Sequence, residues 1–135
     1  MVYYVIRNKQ TGLVMDIKGC CGDDGATICM WEYSGGDHQL WSYEDGVLRS
    51  KLNGKVLDLK DCNASPGNDV CMWSHNGGPN QRWVLCEDNT ICSEMGGDLA
   101  LDVMNHSTDA GADVKIWNRH GQGNQQFVLE VAPGK

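Results

Sequence analysis

Apolar and polar residues alternate along this chain in short runs, and the runs recur. In an extended strand, Met15 and Ile17 lie on one side and Asp16 on the other. Leu57 and Leu59 oppose Asp58 in the same way, and Leu101 and Val103 oppose Asp102. A second kind of run follows each of these: Ile28-Cys-Met-Trp31, Val70-Cys-Met-Trp73 and Val114-Lys-Ile-Trp117. Their two apolar residues share a face, and the Trp takes the opposite one. Each round closes on Gln-x-aromatic, at Gln39-Leu-Trp41, Gln81-Arg-Trp83 and Gln125-Gln-Phe127. The aspartates are 42 and 44 residues apart (58 − 16 and 102 − 58), and so are the closing aromatics (83 − 41 and 127 − 83). Three ordered elements in one register, three times over, are an internal repeat. The copies run approximately over 1–44, 45–88 and 89–135.

The period-2 pattern predicts four short strands per copy, in the first near 3–7, 13–17, 27–32 and 40–44. Gly, Asp and Asn clusters bound them, no segment holds a helical period, and no linker separates the copies. Twelve short strands in a single domain, 1–135, predict an all-β, closed or nearly closed barrel, which removes exposed edges.

Parity also assigns faces. Lys115 lies on the same side as Trp117, and lysine is almost never buried unpaired. The Trp face is therefore the expected solvent face, and each Asp shares it. A recurrent Asp can serve a turn and a recurrent Trp can be core. Parity favours a site instead: a carboxylate and an indole presented together from hairpin-linked strands. The Gln-x-aromatic element reads as scaffold, with its aromatic in the core and its amide tying down loop backbone.

A carboxylate beside an exposed indole suits a pyranose. The carboxylate accepts from two adjacent hydroxyls in charge-assisted bonds. The indole packs against the C–H face of a galactose-type ring. The residue before each closing Gln, His38, Asn80 or Asn124, is a candidate third polar group. In the Trp-to-Gln loops, His120 in the third copy and His75 or Asn76 in the second are further candidates. The candidate sugar-binding set is thus Asp16, Trp31 and His38; Asp58, Trp73 and Asn80; and Asp102, Trp117, His120 and Asn124.

Composition narrows the partners. Apolar residues at 41% and charged residues at 21% describe a globular chain. A net charge of −7 repels phosphate backbones and anionic lipid, so no nucleic acid is expected as a partner. No run approaches the ~20 apolar residues of a membrane-spanning helix, so no membrane insertion is expected. No signal peptide is legible at the N-terminus. The expectation is a cytoplasmic protein, one secreted by an unconventional route, or one whose signal has been removed.

The ordered set of Asp between apolar residues, apolar-x-x-Trp and Gln-x-aromatic resembles the ricin-type β-trefoil lectins. Asp45-Gly-Val-Leu-Arg-Ser-Lys-Leu-Asn-Gly54 is similar to the earthworm-type, galactose-binding subgroup. The resemblance covers essentially the whole chain. It implies a β-trefoil of pseudo-threefold symmetry, a six-stranded barrel capped by three hairpins, with one candidate site per repeat. It implies galactose or N-acetylgalactosamine on glycoproteins or glycolipids as ligands, and multivalent cross-linking, which a homodimer would multiply. By position, Asp16, Asp58 and Asp102 match the family's hydroxyl-binding aspartate. Trp31, Trp73 and Trp117 match its stacking aromatic, and Asn80 and Asn124 its polar partner. The chain departs at His38 and at Phe127. Cys29, Cys71 and Lys115 stand where many members have a Gln that supports the aspartate. Val14 and Tyr33 stand where many members have a disulfide. The competing readings are a trefoil that binds protein rather than sugar, and the targeting module of a toxin or glycosidase.

No catalytic constellation stands out. Glycoside hydrolysis needs two carboxylates in one pocket, and each pocket here has one site Asp. No zinc spacing occurs, and neither metal nor cofactor is expected. Seven cysteines cannot all pair within one chain. Cys20 and Cys29, and Cys62 and Cys71, share a nine-residue spacing that leaves a disulfide or free thiols open in each. Two sequons, at Asn63 and Asn105, follow site aspartates, where a glycan would crowd the pocket, and are expected to be unused.

Overall fold

The computed structural model describes residues 2–20, 23–96 and 98–133, the side chain of Cys20 apart. Each repeat contributes four strands. In the first they are β1 (Tyr4–Asn8), β2 (Val14–Ile17), β3 (Ile28–Trp31) and β4 (Trp41–Glu44). The second holds β5 (Val47–Ser50), β6 (Val56–Leu59), β7 (Val70–Trp73) and β8 (Trp83–Leu85). The third holds β9 (Ile91–Ser93), β10 (Leu99–Val103), β11 (Val114–Asn118) and β12 (Phe127–Val131). The four strands expected in the first copy are all present, with ends shifted by no more than a residue or so.

The outer two strands of each repeat form a six-stranded ring. β1 pairs with β12 over five residues, from Tyr4↔Val131 to Asn8↔Phe127, and also with β4. β4 pairs with β5, and β8 with β9. The two remaining seams are carried by single backbone bonds, Trp83 N–H to Gly46 O (2.7 Å) and Phe127 N–H to Asn89 O (2.8 Å). The β4–β5 connection is a two-residue turn with Asp45 and Gly46 both at positive φ (52° and 80°), the geometry that lets strands keep their twist through a tight hairpin.

The inner two strands of each repeat form the hairpins β2–β3, β6–β7 and β10–β11. They are stitched cyclically by isolated bridges: Thr27 to Cys71, Asp69 to Lys115, and Asp113 to Cys29. Lys115 is half-buried and reaches Asp69 of the second repeat at 3.3 Å, which satisfies the pairing demand on a lysine in this position.

One core fills the ring and the space under the hairpins. The apolar faces assigned by parity all point into it, Met15, Ile17, Ile28 and Met30 in the first copy and their counterparts in the others. The closing aromatics Trp41, Trp83 and Phe127 are buried there. Each such ring removes some 150–250 Å² from water, worth roughly 4–6 kcal/mol at ~25 cal/mol per Å². The Trp83 indole N–H donates to Leu57 O (3.1 Å) and that of Trp41 to Met15 O (3.5 Å). Phe127 fills the same place with no donor.

Candidate functional site

The register of each hairpin builds the site. Asp16 lies opposite Cys29, and Trp31 lies opposite Val14, so the Asp and the Trp share a face two positions apart on neighbouring strands. Asp58 with Trp73 and Asp102 with Trp117 repeat the arrangement. The three indoles are exposed, Trp31 by 48%, Trp73 by 44% and Trp117 by 40%.

The aspartates depart from expectation. They lie on the face away from the core, but they are covered: Asp16 and Asp102 are 4% exposed and Asp58 5%. What covers them is the one-turn 3-10 segment before each closing aromatic, at Asp37–Gln39, Pro79–Gln81 and Gly123–Gln125. The carboxylate is therefore the floor of a pocket and the indole is its exposed wall.

The glutamine of Gln-x-aromatic is more than scaffold. Gln81 Nε2 donates to Asp58 Oδ2 (2.8 Å) and to Ser74 O (3.0 Å), while its Oε1 accepts from Asn76 N–H (2.9 Å). Gln39 joins Asp16, Glu32 and Ser34 in the same way, and Gln125 joins Asp102, Asn118 and His120. One fully buried amide thus ties down the loop, as expected, and also clamps the carboxylate. The amide reaches the carboxylate from a turn 23 residues downstream.

The residue before that Gln separates the three sites. Asn80 Nδ2 donates to Asp58 Oδ1 (3.2 Å), and Asn124 Nδ2 to Asp102 Oδ1 (2.9 Å). Gly78 leaves room for this: a Cβ there would lie 2.8 Å from Asn80 Oδ1. In the first site His38 takes the Asn position, with its Nε2 3.7 Å from Asp16 Oδ2, beyond hydrogen-bond distance. Among the described residues, Asp16 Oδ1 is buried without a hydrogen-bond partner. His38→Asn is expected to supply the missing donor and raise the unfolding free energy by about 1–2 kcal/mol. Denaturant titration measures this; an unchanged midpoint would mean that Asp16 Oδ1 does not lack a partner in solution.

Burial pushes the carboxyls of Asp16, Asp58 and Asp102 above the ordinary aspartate range, against the opposing pull of the glutamine bonds. The third site has two rings over its floor. His120 Nε2 lies 3.6 Å from Asp102 Oδ2, and the His106 ring stacks on that of His120 at 5.9 Å between centroids, 10° from parallel. His120 Nδ1 accepts from Gln122 N–H (3.0 Å), which places the neutral ring's proton on Nε2, towards Asp102.

Each pocket also borrows from the preceding repeat in the cyclic order. Gly111 of the third repeat lines the first site, and Gly25 of the first lines the second. Gly67 and Gly111, at φ 89° and 95°, bring backbone to the edges of Trp117 and Trp31; a Cβ there would lie 3.6 Å from each indole. Ser34 and Lys18 complete the first site, Asn76, Lys60 and Asp61 the second, and Met104 and Asn105 the third. Nothing periodic in one strand announces these residues. Asn76, not His75, reaches the second pocket; His75 lines a separate concavity with Arg49 and Arg82. Asn105 sits on the rim of the third pocket, where a glycan would cover it. Among the described residues, no group of three His, Cys, Asp or Glu side chains could hold a metal ion.

The family model of the ricin-type beta-trefoil lectin domain matches residues 2–127. The chain belongs to that family. Ricin-type lectin domains are carbohydrate-binding, and this one has the family's architecture throughout. It is similar to the designed threefold-symmetric protein ThreeFoil, at 35% identity and a TM-score of 0.86, covering 95% of this chain and 97% of that one. It is also similar to the C-half of the earthworm R-type lectin, solved in complex with GalNAc, at 29% identity and a TM-score of 0.83, covering 97% and 99%. A shorter likeness joins it to the clotting factor G alpha subunit of Tachypleus tridentatus, 33% identical over 42 residues. That stretch is 31% of this chain and 6% of the clotting-factor subunit.

The cysteine pairs stand as follows. Cys62 is exposed, Cys71 is buried, and both are free thiols; burial pushes the Cys71 thiol up to about 11. The Cys20 side chain lies outside the described residues, and the Cys20–Cys29 question lies there with it.

Proposed function

We propose that this ricin-type domain is a non-enzymatic lectin that recognises galactose- or N-acetylgalactosamine-type glycans through up to three shallow sites. The observation that carries the proposal is the triple recurrence of an amide-clamped carboxylate beneath an exposed indole. Clamping holds the Asp at one rotamer, so a sugar meets an acceptor already in place and little ordering cost falls on binding. The carboxylate takes two adjacent hydroxyls and the indole takes the C–H face. The complex of the earthworm lectin half with GalNAc supports this choice of sugar. Glycoproteins or glycolipids with several such termini are the proposed partners, and cross-linking is the proposed outcome.

Calorimetry with galactose and N-acetylgalactosamine tests this. A single shallow site is expected near ~1 mM, about −4 kcal/mol. Asp16→Ala, Asp58→Ala and Asp102→Ala each remove hydrogen bonds to a charged group worth ~1.5–3 kcal/mol apiece, enough to silence the affected site. Binding should also weaken on acidification at a pH above the ordinary aspartate range, because the raised pKa removes the charged acceptor sooner as pH falls. No heat with either sugar, and none with galactose-terminated oligosaccharides, would sink the proposal.

The likeness to a small fraction of a long clotting-factor subunit favours a second reading, a carbohydrate-targeting module within a larger protein. The sites and their test are the same in both readings.

A further inference from the structure

Two thiols outside the sugar sites lie in direct contact. Cys86 follows β8 and Cys92 lies within β9, at the base of the hairpin that joins them. Their sulfurs are 3.6 Å apart. Val84 is opposite Cys92, and the Cys86 N–H donates to Thr90 O (2.9 Å), so the cysteines are diagonal neighbours on one face of the hairpin. A disulfide has its sulfurs at about 2.05 Å, so roughly 1.5 Å of approach is needed, at a strand end where one backbone turn can supply it. The two differ in access: Cys86 is half-buried and Cys92 is buried.

We infer that Cys86 and Cys92 form a redox-active dithiol that small-molecule disulfides of the glutathione type convert to an intramolecular disulfide. The more accessible Cys86 sulfur, as thiolate, attacks one sulfur of the small disulfide. Its S–S bond breaks, a protein–small-molecule mixed disulfide forms, and one thiolate leaves. Cys92, as thiolate, then attacks the Cys86 sulfur and expels the second small thiolate. The two protons released by the cysteines end on the two small thiols. The protein loses two electrons and the small disulfide gains them.

Two polar groups flank the pair. The Thr90 hydroxyl is 3.5 Å from the Cys92 sulfur, and the Arg119 guanidinium is held beside the hairpin by Asp88, at 3.2 Å and 3.0 Å from Asp88 Oδ2. Burial pushes the Cys92 thiol up, and the Thr90 hydroxyl and the Arg119 charge pull the other way; the sulfur contact is what brings Cys92 to the mixed disulfide. The bridge would close the turn 86–92, which contains Asp88, and Arg119 is adjacent to His120 of the third sugar site.

The full chain, reduced and then exposed to oxidised glutathione at neutral pH, is trapped with an alkylating agent, digested and mapped by mass. The expected product is a Cys86–Cys92 cross-linked peptide. Amide exchange at Cys86, Asn89 and Thr90 is expected to slow in the cross-linked form. Cys92→Ser is expected to leave glutathione bound to Cys86, since no second thiol can release it. If Cys86 and Cys92 both remain alkylated while the exposed Cys62 reacts, the inference fails. It also fails if the unsubstituted chain stops at the mixed disulfide. Neither arm uses sugar binding, so the outcome is independent of the lectin proposal.

Discussion

Replacing Gln81 with Ala is expected to lower the unfolding free energy by about 3–5 kcal/mol and to abolish sugar binding at the second site. The side chain is fully buried and makes three hydrogen bonds, to Asp58 Oδ2, to Ser74 O and from Asn76 N–H. Truncation leaves each of these partners short of a bond, at ~1–3 kcal/mol per buried group, and opens a cavity as well. Set against a typical domain stability of ~5–15 kcal/mol, this is a large fraction. Asp58 would keep only the Asn80 amide and would lose its fixed rotamer, so the hydroxyl acceptor is lost with the fold's tether. Denaturant unfolding and galactose calorimetry measure the two effects. A loss below about 1 kcal/mol would show that the loop and the carboxylate do not depend on this amide.

The second large effect concerns valency. For the monomeric chain, Trp31→Ala combined with Trp117→Ala is expected to abolish cell agglutination while leaving one calorimetric galactose site, at Trp73. Both indoles are nearly half exposed, so stability should change little. Binding through several linked sites can exceed single-site affinity by ~10²–10⁴, and one remaining site forfeits all of it. Either single substitution leaves two sites and should weaken agglutination without ending it. Undiminished agglutination by the double variant would overturn three-site valency within one chain.

Much of this molecule is legible in its sequence. Side-chain direction alternates with period 2, so Met15, Ile17, Ile28 and Met30 could be sent inward and Trp31 outward from the sequence. Trp41, Trp83 and Phe127 were legible as core because they recur in register with the apolar faces. The aspartates were legible only as to side. Their burial comes from the 3-10 turns at Asp37–Gln39, Pro79–Gln81 and Gly123–Gln125, and three-residue turns leave no periodic signal. The dual role of Gln39, Gln81 and Gln125 was hidden for the same reason, since the partner Asp is 23 residues away.

The sequence by itself determined that there are three repeats, which strands each contains, which faces meet the core, and where an Asp and a Trp lie side by side. These follow from local periodicity and its repetition. Tertiary structure alone decided that the carboxylates are pocket floors rather than open rims, and that glutamine and asparagine amides hold them. It also decided that the first site, with His38, leaves Asp16 Oδ1 without a hydrogen-bond partner among the described residues. Only the closed fold sets Gly111 against Trp31 and Gly67 against Trp117. The physical reason is common to all of these. Parity is a property of one strand, whereas covering and hydrogen-bond satisfaction depend on segments that only the packed chain brings together.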